Sequence, residues 1–218
     1  HLIEPLGFDL SDAKLRRAMQ IERKHLQRKV GITFVFVTHD QEEALTMSDR
    51  IAVINLGRIE QLGEVSDIYH SPRTTFVANF IGQANILEST LVSVGAEQSR
   101  VRVSDGIELV VNTSSIPPAS RNTFISVRPE KLHLQKTNPG GANTFEARVS
   151  EELFKGAVDQ LVLTTDSGLE LTAVVANECA TEEAFHLGDK VFCYLHPSDI
   201  VVLEGESGQV DRSIMRQG

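Results

Sequence analysis

Tryptophan is absent from this 218-residue chain, and tyrosine occurs only twice. A groove for single-stranded nucleic acid needs aromatic platforms for base stacking and a basic lining. The lining is missing too, because 21 Lys and Arg stand against 30 Asp and Glu for a formal net charge of −9. Nucleic acid is therefore not an expected partner. Cysteine is scarce: Cys179 and Cys193 are the only two, with neither CxxC spacing nor a partner set for a disulfide framework. They read as small buried hydrophobes in a reducing compartment. Long apolar runs are lacking as well. Stretches such as Phe34 to Val37 are far too short to span a bilayer. No secretory pattern opens the chain, which starts with His1, so a fragment is expected.

What is present is a globular composition, 41% hydrophobic and 23% charged, in two stretches of different grammar. Over residues 1–82 helical and strand signals alternate. Ser11 is placed to cap a helix running to Val30, with Gly31 as its stop and Leu15, Met19, Leu26 and Val30 on one face. Ile32 to Val37 is a continuous β-branched and aromatic run, which predicts a strand buried on both faces. A helix is expected from Gln41 to Ser48, and a second buried strand over Ile51 to Asn55. Gly57-Arg58 is read as a turn, with Ile59 to Gly63 as hairpin partner. Helical stretches follow at Val65 to His70 and Thr74 to Phe80. Over residues 83–218 short alternating runs are broken by Gly, Asn, Asp and Pro about every ten residues, the pattern of a small antiparallel barrel or sandwich. Strand sets flank Asn138-Pro139-Gly140-Gly141, which suggests two similar barrels, although no strict repeat is visible.

His39 stands out on position alone. It lies where a buried strand would end and a helix begin, the edge at which open α/β sheets bind ligands and helix N–H groups face anions. The same position suits a histidine that merely caps the helix. His25, His70, His133, His186 and His196 are scattered without the spacing of metal ligands.

The segment Phe34 to Ile51, containing Val37-Thr38-His39-Asp40-Gln41-Glu42-Glu43-Ala44, resembles the switch-histidine region of ABC-transporter ATPases. Gly57 to Gly63, Ile68 to Pro72 and Phe76 to Gly82 are similar, in order, to the rest of that subdomain in bacterial importers. The resemblance implies that His39 contacts the γ-phosphate of ATP and positions the attacking water, the electrostatic work that dominates phosphoryl transfer. Leu2-Ile3-Glu4-Pro5-Leu6 resembles the end of a Walker B strand, with Glu4 in the place of the glutamate that polarises water. Where that family has an aspartate for Mg²⁺, this chain has Ile3, which offers a hard cation nothing. The stretch before Asp12-Ala13-Lys14-Leu15-Arg16 is also about two residues longer than the family pattern. No Gly-x-x-x-x-Gly-Lys-Ser/Thr phosphate loop and no Leu-Ser-Gly-Gly-Gln signature occurs.

Ser126-Val127-Arg128-Pro129-Glu130-Lys131-Leu132, Leu187 to Val191 and Pro197 to Leu203 look like the oligomer-binding-fold-like, transport-associated (TOBE) domain appended to importer ATPases. The resemblance thus implies part of an ABC nucleotide-binding domain (α/β, an incomplete P-loop NTPase fold) over 1–82, then an all-β barrel over 83–218. The implied parent is the energy-coupling ATPase of a bacterial importer at the cytoplasmic face of the inner membrane. It would bind ATP and Mg²⁺, dimerise with a second copy, drive permease transmembrane subunits and meet a solute-binding protein indirectly. The chain alone is expected to hold no cofactor and to turn over no ATP. Phe80 to Glu88 most resembles polyamine (spermidine/putrescine) importers, with ferric-iron, phosphonate and sugar importers as alternatives. A purely regulatory β module binding a small ligand or a protein is the competing class. Arg128 and Glu130 are expected as an ordinary surface pair or a bridge across a dimer.

Overall fold

The computed structural model of the protein describes residues 19, 22, 24–26, 29–103, 106–116, 122–177 and 184–204. Residues 24–26 and 29–30 are helical, and Gly31 follows at φ 69°, so the glycine stop falls where its chemistry requires. The expected start of that helix at Ser11 lies outside the described residues, as does Glu4.

Ile32 to Val37 departs from expectation. The run is irregular and exposed, with Val35 at 91% and Val37 at 97%. A strand of this composition is stable between two neighbours and under covering helices. Among the described residues neither exists beside it. Every strand pairing observed is antiparallel, so the expected parallel α/β sheet is not formed by these residues.

Helix α1 (Gln41–Met47) leads into a hairpin of β1 (Arg50–Asn55) and β2 (Arg58–Glu64). Leu56 and Gly57 form its two-residue turn with φ of 47° and 76°, the left-handed pair that matches strand twist. β1 was expected to be buried on both faces. Its side chains instead alternate, Ile51 and Val53 inward and Ile54 60% exposed, because a single layer of helices covers the hairpin. That layer is α2 (Val65–His70) and α3 (Thr75–Phe80), the latter capped by the Thr74 hydroxyl, which accepts from the Val77 amide at 3.2 Å. Ile51, Val53, Ile68, Val77 and Ile81 make this small core, with Ala44 and Leu45 of α1 against it. Buried Gln61 pins the loop between α2 and α3: its amide donates to Ser71 O and its carbonyl accepts from Arg73 N.

The rest is two five-stranded antiparallel sheets. One runs in the order β5 (Glu108–Asn112), β4 (Gln98–Val103), β3 (Asn85–Ser93), β6 (Asn122–Val127), β12 (Ile200–Leu203). The other runs β10 (Glu170–Ala176), β9 (Val158–Thr164), β8 (Thr144–Phe154), β11 (Lys190–Tyr194), β7 (His133–Gln135). The two orders are the same wiring used twice. In each, a three-strand meander is followed by a fourth strand on the far side of the first. A Pro-led 3₁₀ turn comes next, Pro129–Lys131 or Pro197–Asp199, and then a short strand that crosses to the other sheet. The local details repeat. Asn85 and Asn143 open the two units, and each meander has its bulge at the same offset, after Leu91 and after Val149. The two carboxamides then cross between sheets. Asn85 exchanges two hydrogen bonds with the Thr172 backbone (2.7 and 2.8 Å), and Asn143 does the same with Val110 (2.6 and 2.9 Å). The sequence suggested two similar barrels within one β domain. The exchanged strands β7 and β12 instead merge both units around one core, which includes Val101, Leu109 and Ile125 from one sheet and Leu161, Leu163 and Val191 from the other.

Candidate functional site

His39 sits at the entry to α1, and its position is set by a small ring of hydrogen bonds around it. Asp40 is extended (φ −84°, ψ 113°) and caps the helix by accepting from the Glu43 amide at 3.1 Å. The Thr38 hydroxyl accepts from the Asp40 amide and donates to the Glu43 carboxylate, both at 3.0 Å. The sequence Asp40-x-x-Glu43 has capping-box spacing, but Glu43 turns to Thr38 rather than to the cap's own amide. Residues 38, 40 and 43 therefore hold the backbone on either side of residue 39, while the His39 side chain is exposed. This arrangement can present an imidazole to an anion from a fixed backbone. Among the described residues no phosphate cradle surrounds it. The described residues offer His39 as a hydrogen-bond donor but no run of backbone amides for a triphosphate. Among the described residues, no group of three or more His, Cys, Asp or Glu could hold a metal ion.

The second organised place lies where the helices meet the β sheets, and its centre is Arg128. The expected surface pairing of Arg128 with Glu130 is not what forms. Arg128 is 6% exposed, and its guanidinium lies 4.3 Å from the centre of the Tyr69 ring. Its guanidinium donates to backbone carbonyls of α2, α3 and the segment leaving α3. Glu130 accepts instead from the Tyr69 hydroxyl at 2.7 Å. Burial, and then the hydrogen bond to Glu130, push the Tyr69 hydroxyl above the ordinary tyrosine range, with Arg128 opposing. The same burial lowers Arg128 from its ordinary value. Sequence reasoning singled out Arg128 and Glu130 but missed Tyr69 and the helix carbonyls that Arg128 meets. The available signal was Tyr69, one of only two tyrosines, at the C-terminal end of a predicted helix.

His39 and Arg128 are thus not in one pocket. They are linked through packing: α1 rests on the small core through Ala44 and Leu45, and α2 and α3 build that same core.

Comparisons with known proteins come down on one lineage. Residues 125–203 match the TOBE domain family. Over 209 residues, the chain is 41% identical to the spermidine/putrescine import ATP-binding protein PotA of Rubrobacter xylanophilus, covering 95% of this chain and 54% of that protein. With its counterpart in Thermobifida fusca the figures are 42% identity, 94% of this chain and 53% of the relative. The chain therefore spans about half the length of the curated relatives it matches. Among solved structures, the cytoplasmic molybdate-binding protein ModG aligns with 54% of this chain and 94% of its own, at 18% identity and a TM-score of 0.48.

Proposed function

We propose that the chain belongs with bacterial ABC-importer ATP-binding subunits of the spermidine/putrescine type, as a C-terminal part of such a subunit, on its identity to them and its match to the TOBE domain family. The proposed role is that of the switch-bearing and regulatory portion of such a subunit, with residues 1–82 contributing to the nucleotide-binding domain and 83–218 forming the appended β domain. One observation carries the reading. The 41% identity to an import ATP-binding protein runs through 95% of the chain.

In the intact subunit His39 would donate to the γ-phosphate of ATP and hold the attacking water in line, and Glu4 would polarise that water. The described residues by themselves do not fit ATP or Mg²⁺. A second copy would face the first across the nucleotides, and permease subunits would receive the motion at the cytoplasmic face of the membrane. No described helix is long and apolar enough to cross a membrane. Polyamines are the proposed cargo class, by kinship with relatives named for spermidine and putrescine.

The decisive experiment uses the complete subunit encoded at this locus, assayed for ATP hydrolysis with and without His39→Ala. A loss of at least about a hundredfold in kcat, the order found when one transition-state donor is removed, is expected. An unchanged kcat would overturn the switch assignment. The 218-residue chain alone should show no thermal shift with millimolar ATP and Mg²⁺.

A further inference from the structure

A buried cation is normally met by a carboxylate, because an unpaired charge costs much to desolvate. Arg128 is 6% exposed, and no described carboxylate forms an ion pair with it. Its hydrogen bonds are met by carbonyl dipoles, with the Glu130 carboxylate adding attraction at longer range. Nε and Nη2 donate to Tyr69 O at 3.3 and 3.0 Å, and Nη1 donates to Ala78 O, Gly82 O and Gln83 O at 3.0, 3.1 and 3.1 Å. Tyr69 lies in the last turn of α2 and Ala78 in the last turn of α3. The last carbonyls of a helix lack intrahelical partners and carry the negative end of its dipole. One planar fork therefore closes the ends of two helices at once.

Arg128 itself belongs to the other body, at the end of β6 and just before buried Pro129. Tyr69 is gripped from two sides, by the guanidinium on its face and by Glu130 on its hydroxyl. Gly82 lies beside the grip: its φ of 158° disfavours a side chain, while a methyl there would make only ordinary contact, 3.4 Å from the Tyr69 ring and 3.5 Å from Arg128 Nη1. Lysine cannot replace this fork, since a compact ammonium cannot serve both faces of the junction together.

We propose that Arg128 is the coupling residue of this chain, latching the β domain onto the C-terminal ends of α2 and α3 so that the two move as one body. The small core joins α1 to α2 and α3, so displacement of the His39 segment is carried into the β sheets rather than lost in a loose joint. The latch rests on geometry alone; its use as a relay for nucleotide state rests on the proposed function. The sequence motif Arg128-Pro129-Glu130 then serves attachment, not ligand chemistry.

The test compares the wild-type chain with Arg128→Met, Arg128→Lys and Tyr69→Leu. Spin labels at exposed positions 66 on α2 and 90 on β3 report the distance across the junction, and amide exchange reports order locally. For all three variants we expect a broadened distance distribution, and at least tenfold faster exchange over residues 78–84, with β9 amides of Leu161 and Leu163 unchanged. A distribution as narrow as wild type in both Arg128→Met and Tyr69→Leu overturns the latch, as does β9 exchange that accelerates in parallel. If Arg128→Met does not fold, Tyr69→Leu and Arg128→Lys decide alone. In the complete subunit, nucleotide should shift the same distance in wild type and not in Arg128→Lys. A shift that persists in the variant overturns the relay while leaving the histidine assignment to its own hydrolysis assay.

Discussion

Single residues in this protein owe their properties to burial more than to identity. Cys193 lies at 0% exposure in the shared β core, and burial alone pushes its thiol up to about 12. A thiol held protonated this way adds stability that is complete below its ordinary value near 9 and is lost as pH rises from there towards about 12. Alkylation of Cys193 by iodoacetamide at pH 8 should therefore track global unfolding, with peptide mass spectrometry finding it unmodified in the native chain. Modification as fast as that of a free thiol would contradict its placement. Tyr69 has the same sign: its hydroxyl is raised, so the contribution of its hydrogen bond to Glu130 is whole below the ordinary tyrosine value and fades at higher pH. His39 is the opposite kind of residue, exposed and defined only by neighbours that hold its backbone.

Elements here were legible where their burial is local. The Val65–His70 helix and the helical stretch from Thr74 to Phe80 are read directly from the chain, because an apolar stripe is a short-range fact; Thr74 proves to be the cap of the second and not its first residue. Most β strands are equally legible, since one face meets the core and alternation records it, as in the fully alternating burial of β4. β7 escaped notice because three residues carry no period. Ile32 to Val37 misled in the other direction: its composition is that of a strand covered on both faces, while its described surroundings supply no partner. The two crossing asparagines were legible only as turn residues. Each replaces a missing ladder between sheets, so Asn85→Ala or Asn143→Ala leaves a backbone donor and acceptor stranded. Either change should lower unfolding stability by about 2 kcal/mol in urea titration.

At the scale of the whole molecule, strand exchange decides how the β sheets behave. β7 follows the first unit and pairs in the second sheet, while β12 follows the second unit and pairs in the first. Neither sheet can be completed without the other, and both draw on one core. Calorimetry should accordingly show the two sheets melting in a single transition, and amides of β3 and β8 should share one global exchange limit. Two resolved transitions within residues 85–203 would mean separable units. The helical layer is held to the sheets by Arg128, by the Tyr69–Glu130 hydrogen bond and by the Glu204–Arg73 backbone bond at 2.8 Å, so its attachment depends on a few named contacts.

By itself the sequence determined the short-range features: strand alternation, the short helices after the hairpin, the glycine stop, the absence of a phosphate loop, and the histidine motif with its kinship. These depend on neighbours within a few residues, or on motifs that stand whole in the chain. Only the tertiary structure decided that two β units share one core, and that Arg128 faces helix carbonyls rather than Glu130. Which sheet a short strand joins, and which distant carbonyls a guanidinium meets, depends on contacts tens of residues apart, and no local pattern encodes them.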